Sequence, residues 1–198
     1  MDSVQPRSTR DAILDATDRL LARYGYKKMT IDDLAAEVGI GKGSVYLHFA
    51  SKEEIALSHI DRIIERLMER LISIAGSSEN IDTRLRKMIV ERVLFRFDSV
   101  QHYSQSLNEL LATLRPRLLE RRRSYFEEEA KLFAAILTEG KKAGVLSFKA
   151  PLIAANALLD ATNAFLPYSL SAYELGERSE IETKTLHVAD LILNGLKK

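Results

Sequence analysis

A chain of 198 residues has room for one large domain, or for a small domain beside a medium one. Hydrophobic residues make up 46% of it, enough for a core, which excludes wholesale disorder; 29 Lys and Arg against 28 Asp and Glu give a net charge of +1, neutral toward a nucleic-acid partner. The absence of cysteine excludes disulfides, thiolate zinc sites and thiol catalysis together and makes a reducing, cytoplasmic setting the default; with no apolar leader and no run near ~20 apolar residues, neither secretion nor a membrane span is expected.

Four prolines and nine glycines punctuate a chain whose apolar residues recur every three or four positions, so the expected fold is all-α. Ser8 followed by Asp11 opens a first helix with Ile13, Ala16, Leu20 and Tyr24 inward, and Gly25 is expected to close it. Thr30 and Asp33 open a short second helix whose Ile31, Leu34, Ala35 and Val38 make one apolar face, ended by Gly39. A third short helix follows over Gly41–Phe49, with two glycines that lower its intrinsic stability. Ser51-Lys52-Glu53-Glu54 reads as a capping box for a long fourth helix carrying Ile60, Ile63, Ile64, Leu67, Leu71 and Ile74 inward to Gly76. Further helices are expected near 81–98, near 100–114, from Pro116 to Gly140, from Pro151 to a kink or end at Pro167, and over about 179–194, the last with Ile181, Thr185, Val188, Ile192 and Leu196 at bundle spacing.

Two short helices joined by a glycine-containing turn, the second too polar to be all core, form the helix-turn-helix pattern whose second helix enters a DNA major groove. No acid lies between Glu37 and Glu53, so that helix is expected to offer Lys42, His48 and Lys52 without local negative charge, and Gly41 and Gly43 leave space for close approach to phosphates. Arg7 and Arg10 stand where a flexible minor-groove arm is conceivable, although such a pair more often only solubilises a tail.

The run Thr30-Ile31-Asp32-Asp33-Leu34-Ala35-Ala36-Glu37-Val38-Gly39-Ile40-Gly41-Lys42-Gly43-Ser44-Val45-Tyr46-Leu47-His48-Phe49, followed by Ser51-Lys52-Glu53-Glu54, resembles the N-terminal motif of TetR-type transcriptional regulators over about forty residues. The resemblance implies a three-helix helix-turn-helix DNA-binding domain, placed at 1–52, joined by a long helix to a helical effector-binding and dimerisation domain at 53–198. It also implies a homodimer built through the last two long helices, an unknown small-molecule effector, and a ligand-responsive repressor on a near-palindromic double-stranded DNA operator. Carried over by position, Thr30 meets phosphate as well as capping its helix; Lys42, Gly43 and Ser44 occupy the base-reading turn; Tyr46, His48 and Lys52 grip the backbone. The plainer alternatives are a solvated lysine at 42 and 52 and packed aromatics at 46 and 48. Asp32 and Asp33 depart from the basic or neutral residues of some members, so reading from the second helix is expected to be weak.

The C-terminal two-thirds carries no comparable motif. Candidate effector contacts are His102 and Tyr103, Tyr125 and Phe126, and the polar stripe Asn156, Asp160 and Asn163 on an otherwise apolar helix; the same stripe reads more readily as a solvent seam or an interface contact. Arg115, Arg117, Arg121, Arg122 and Arg123 with Glu127, Glu128 and Glu129 read as a solvated, ion-paired face. No nucleophile elbow, phosphate loop or metal-ligand spacing occurs, with histidines only at 48, 59, 102 and 187, so neither enzyme, metal nor cofactor is expected. The remaining alternative is a helical protein-interaction module without DNA binding.

Overall fold

The structure, a computed structural model, describes residues 8–101, 104–166 and 176–197, with the side chains of 104–109 and 111 left aside. Among the described residues there are eight α-helices: α1 Thr9–Lys28, α2 Ile31–Val38, α3 Lys42–His48, α4 Lys52–Ala75, α5 Ile81–Val100, α6 Ser104–Lys142, α7 Pro151–Asn163 and α8 Arg178–Leu196. An isolated antiparallel bridge joins Leu146 to Lys197. The all-α expectation holds. The chain divides into two compact units, Met1–Arg62 with His102–Leu118, and Ile63–Gln101 with Leu119–Lys198, so α4 and α6 each contribute to both.

In the first unit, Ser8 caps α1 by accepting from the Asp11 amide at 3.1 Å. Ile13, Ala16 and Leu20 are buried as their spacing predicts, but Tyr24 is not: it is 46% exposed. Gly25 adopts φ 73 and ψ 168, a conformation open to glycine alone, and the chain then takes one more helical turn to Lys28 instead of stopping. That kink sends Tyr26 and Met29 inward in place of Tyr24. Arg10 lies within α1, its guanidinium 5.1 Å from the centre of the Phe49 ring, so it is no part of a flexible arm; Arg7 lies outside the described residues.

The second unit has the larger apolar cluster. Leu67 and Leu71 from α4, Leu85, Met88 and Ile89 from α5, Phe133 and Leu137 from α6, Leu158 and Leu159 from α7, and Leu193 from α8 are all nearly inaccessible to water. Burial of side chains of this size contributes about 1.5–3 kcal/mol each. Pro116 does not open a helix as its position suggested. Instead α6 runs straight through it for 39 residues; proline's fixed φ is helical, and the loss of one main-chain bond is tolerated in so long a helix. Gly140 likewise does not close α6, which continues to Lys142. A Cβ there would stand 2.5 Å from Leu146 Cδ1 and 3.2 Å from Ile81 Cγ2, so glycine permits close packing, and Gly144 takes the left-handed turn with φ 75. On α8 the buried line is Ile181, Thr185, Ala189 and Leu193, a four-residue step that leaves Val188, Ile192 and Leu196 half-buried.

Candidate nucleic-acid interface

The Thr30 hydroxyl accepts from the Asp33 amide at 3.1 Å while the Asp33 carboxylate accepts from the Thr30 amide at 2.9 Å, a reciprocal cap that fixes where α2 begins. Hydrogen bonding from Thr30 holds the Asp33 carboxyl below the usual range. Gly39, at φ 76 and ψ 33, ends α2 with its amide donating to Ala35 and Ala36, and the chain turns into α3 through Gly41. Val45 and Phe49 are buried, so α3 is anchored by one edge and turns its other residues outward.

That outward set is the one the spacing predicts. Lys42, Gly43, Tyr46 and His48 are exposed, Ser44 is half-buried, and Thr30 is exposed at the start of α2. The packed-aromatic alternative for Tyr46 and His48 is not what the structure shows: Tyr46 is 49% exposed. Leu47, which the sequence reading passed over, is 85% exposed beside them; its position two residues from both Val45 and Phe49, hence on the opposite side of the helix, was the signal. A Cβ built on Gly41 or Gly43 meets nothing within 4 Å. The protein's own packing therefore does not require glycine at either position, although alanine in place of Gly43 would favour the helix by about 0.8–1 kcal/mol.

Two candidate cations are placed differently from expectation. Lys42 is not clear of negative charge, because Asp32 reaches across from α2 and accepts from Nζ at 2.8 Å; this bond and the carboxylate's charge hold the ammonium above the ordinary lysine range. The acid-free window was real along the chain but not in space. Lys52 is half-buried at the head of α4, and Nζ donates to the carbonyls of Tyr26 at 3.1 Å, Met29 at 3.2 Å and Lys27 at 3.5 Å, with the Tyr26 ring centre 4.6 Å away. It closes the carbonyl end of α1, a role unavailable to a lysine on a solvated face. Nearby, Glu54 accepts from the Arg117 guanidinium at 2.7 Å.

The effector candidates do not converge as a group. His102 and Tyr103 lie outside the described residues. Asn156 and Asp160 are exposed, whereas Asn163 is half-buried and its Oδ1 accepts from Arg92 at 2.7 Å. Tyr125 and Phe126 are half-buried, the Phe126 ring lying 5.4 Å from the Arg92 guanidinium and 4.7 Å from that of Arg122. Arg92 is thus where Phe126 and Asn163 meet, and the sequence reading missed it. Glu129 corrects the solvated-face reading of its run: it is fully buried, with Arg92 Nε donating to Oε2 at 2.6 Å and Arg96 donating to Oε1. Burial alone would raise its carboxyl, but the charges of Arg96 and Arg92 and their hydrogen bonds prevail and hold it below the usual range. A signal existed: Glu129 falls in phase with Phe126, Ala130, Phe133 and Leu137, and Arg92 and Arg96 in phase with Leu85, Met88, Ile89, Val93 and Phe97. Charge at core positions marks a buried pair.

Among the described residues no helix is long and apolar enough to cross a membrane, and no group of His, Asp and Glu is placed to hold a metal ion.

Residues 13–58 match the model of the bacterial regulatory proteins of the tetR family. An HTH-type transcriptional regulator from the lacX 3' region of Lactococcus lactis subsp. lactis is 32% identical over 90 residues, 45% of this chain and 46% of that protein, so the chain spans less than half of it. The HTH-type transcriptional repressor KstR2 of Mycobacterium tuberculosis is 27% identical over 150 residues, 73% of each. A transcriptional regulator from Cytophaga hutchinsonii, solved by crystallography, superposes with a TM-score of 0.78 over 95% of this chain and 98% of its own at 22% identity, a likeness of fold. With an exposed second helix of a helix-turn-helix on one unit and an all-helical second unit, the chain belongs to the TetR family of transcriptional regulators.

Proposed function

We propose that this chain is a repressor that binds a near-palindromic DNA operator as a homodimer and is released by a small-molecule effector held in its second unit. The outer face of α3 carries the reading: Lys42, Tyr46, Leu47 and His48 stand exposed beside two glycines that internal packing does not require. A helix presented in this way suits a major groove about 12 Å wide. Lys42 then donates to guanine O6 and N7, Leu47 meets a thymine methyl, and Thr30, Gly43, Ser44, Tyr46 and His48 hold the phosphate backbone and the register. Lys52 joins them only by giving up main-chain carbonyls. Lys42 must leave Asp32, which is cheap, because an ion pair this exposed is weak.

The homodimer reading is supported by aliphatic side chains left in water on the last two helices, Ile153 at 70% exposed and Leu191 at 76%, together with Leu152. Two α3 helices would then address half-sites about 34–36 Å apart, or a multiple of that. The repressor sense is supported by the name of the KstR2 relative.

Capture of genomic fragments by the purified protein over a salt series tests the reading. The expected result is a small set of near-palindromic sites whose affinity falls steeply with salt, as counterion release demands. Lys42→Ala is expected to reduce the operator-to-random affinity ratio about 10- to 100-fold. An unchanged ratio would remove Lys42 from base reading, and failure to capture any site would favour the protein-interaction alternative. A monomer by light scattering at micromolar concentration would refute the dimer.

A further inference from the structure

At the start of α2 the donors expected to meet phosphate are already in use. Thr30 has two protons to give, and both go to one acceptor: its amide donates to Asp33 Oδ2 at 2.9 Å and its hydroxyl to the same oxygen at 2.7 Å. The box that caps α2 therefore takes the very donors a phosphate would take, and sets a carboxylate beside them. The cations singled out by the motif are engaged as well, Lys42 by Asp32 and Lys52 by the main-chain carbonyls of Tyr26, Lys27 and Met29. A phosphate arriving at Thr30 meets negative charge unless another cation stands on that side.

The chain just ahead of Thr30 supplies one. Gly25 bends α1, and the Met29 amide closes the extra turn by donating to the Gly25 carbonyl at 3.1 Å. Met29, at φ -59 and ψ 130, and Thr30, at φ -118 and ψ 165, then lead into α2 as extended chain. Met29 is wholly buried, and an inward residue in extended chain leaves the residues on either side of it outward. Lys28 and Thr30 are both exposed, as this requires. Two residues of chain span at most about 7 Å, so the flexible lysine stem can bring its ammonium to the phosphate at Thr30 or to the next one along. Among the described residues Lys28 makes no hydrogen bond or ion pair through its side chain, so no internal contact has to be broken first. Lys27 is exposed too, but it is one residue out of this alternation.

We propose that Lys28 grips the DNA phosphate backbone at the start of α2, supplying the charge and the donor that Thr30, bound to Asp33, does not. This rests on the DNA-binding reading and adds to it a contact that the helix-turn-helix motif does not include. Because the contact is to phosphate, it strengthens binding to any duplex and carries no sequence information.

The test measures the affinity of the full-length protein for a random-sequence duplex and for a captured operator over a potassium chloride series, with Lys28→Gln, Lys28→Arg and Lys27→Gln beside the parent. Glutamine removes the charge while keeping a similar helix propensity, and Lys28→Gln is expected to melt with the parent. Its plot of log affinity against log salt is expected to be shallower by about 0.9 for each subunit on the DNA, with the operator-to-random ratio unchanged. Lys28→Arg is expected to keep the parent slope, and so is Lys27→Gln. An unchanged slope in Lys28→Gln would overturn the proposal and leave the DNA-binding reading standing. Equal losses from the two glutamine variants would also overturn it, since they would show a diffuse field in place of a contact at one position. A parent protein with no salt-dependent affinity for either duplex would refute the DNA-binding reading itself, and the Lys28 contact with it.

Discussion

The two units handle charge in opposite ways. In the first, charged side chains lie mostly at the edge: Lys42 with Asp32, Arg19 with Glu37 and Arg117 with Glu54 are pairs with substantial exposure, and the helices are fixed by local caps at Ser8, Thr30 and Ser51. In the second, α5 and α6 place two arginines and a glutamate where apolar residues would ordinarily go, and join them across 33 and 37 positions of chain. Surface pairs are weak and replaceable, whereas a buried pair is costly to break from one side because the other partner is then stranded. The exposed pairs of the first unit can therefore vary with little consequence for folding, and Glu129 of the second cannot.

The sharpest way to break this contrast is Glu129→Gln. Both guanidiniums would lose their carboxylate inside the protein, and a stability loss of about 3–5 kcal/mol is expected in urea unfolding. The same group sets an acid limit. Its folded-state pKa is depressed below the ordinary glutamate value of 4.5, so its contribution is present above that pH and is lost progressively as pH falls toward the lower folded value. The parent protein should lose stability in that window, and Glu129→Gln should lose less there, having already lost the interaction. A Gln variant as stable as the parent would mean that the cluster is open to water in solution.

The same contrast explains what was legible in the sequence. The helix-turn-helix could be read because its determinants are local: caps three residues apart, glycines at turns, an apolar edge of Val45 and Phe49 four residues apart. Exposure of Lys42, Tyr46 and His48 followed from that edge alone. What failed there was anything spanning elements. The Asp32 carboxylate beside Lys42 belongs to the preceding helix, and the carbonyls around Lys52 lie 23–26 residues upstream. In the second unit nearly every decisive contact is of this kind, so Asn163 was read without Arg92 and Glu129 without Arg96. The phase of those charges with core leucines was visible, but their partners were not. Pro116 and Gly140 misled for a related reason: each is a local stop signal overridden by the tertiary environment of a long helix.

Lys52 is an intermediate case, a first-unit cation with a second-unit kind of burial. Lys52→Ala is expected to cost about 1–2 kcal/mol of stability, since charge-assisted bonds to the carbonyl end of α1 are lost while water reaches the site in part. If capping is its whole role, the salt dependence of DNA binding stays as in the parent. A shallower salt slope, by about one unit, would show that the lysine also meets a phosphate.

The smallest expected effect tests whether the first unit's exposed pairs are as dispensable as the contrast requires. Asp32 accepts from Lys42 in the free protein, and its carboxylate also lies on the side of α2 nearest the proposed groove contact. Asp32→Asn removes the negative charge and keeps a hydrogen-bond acceptor, so α2 and its Thr30 cap should stay intact and Tm should barely move. DNA binding should strengthen by about 1.5- to 5-fold, the scale of one exposed pair that need no longer be broken. Because Asn leaves the donor geometry of Lys42 unaltered, the gain should apply to operator and random DNA alike, unlike the loss of discrimination expected from Lys42→Ala. Weaker binding in the Asn variant would reverse the inference: it would mean that Asp32 holds Lys42 in the orientation DNA requires, and that this surface pair is preorganised for reading bases rather than an obstacle to it.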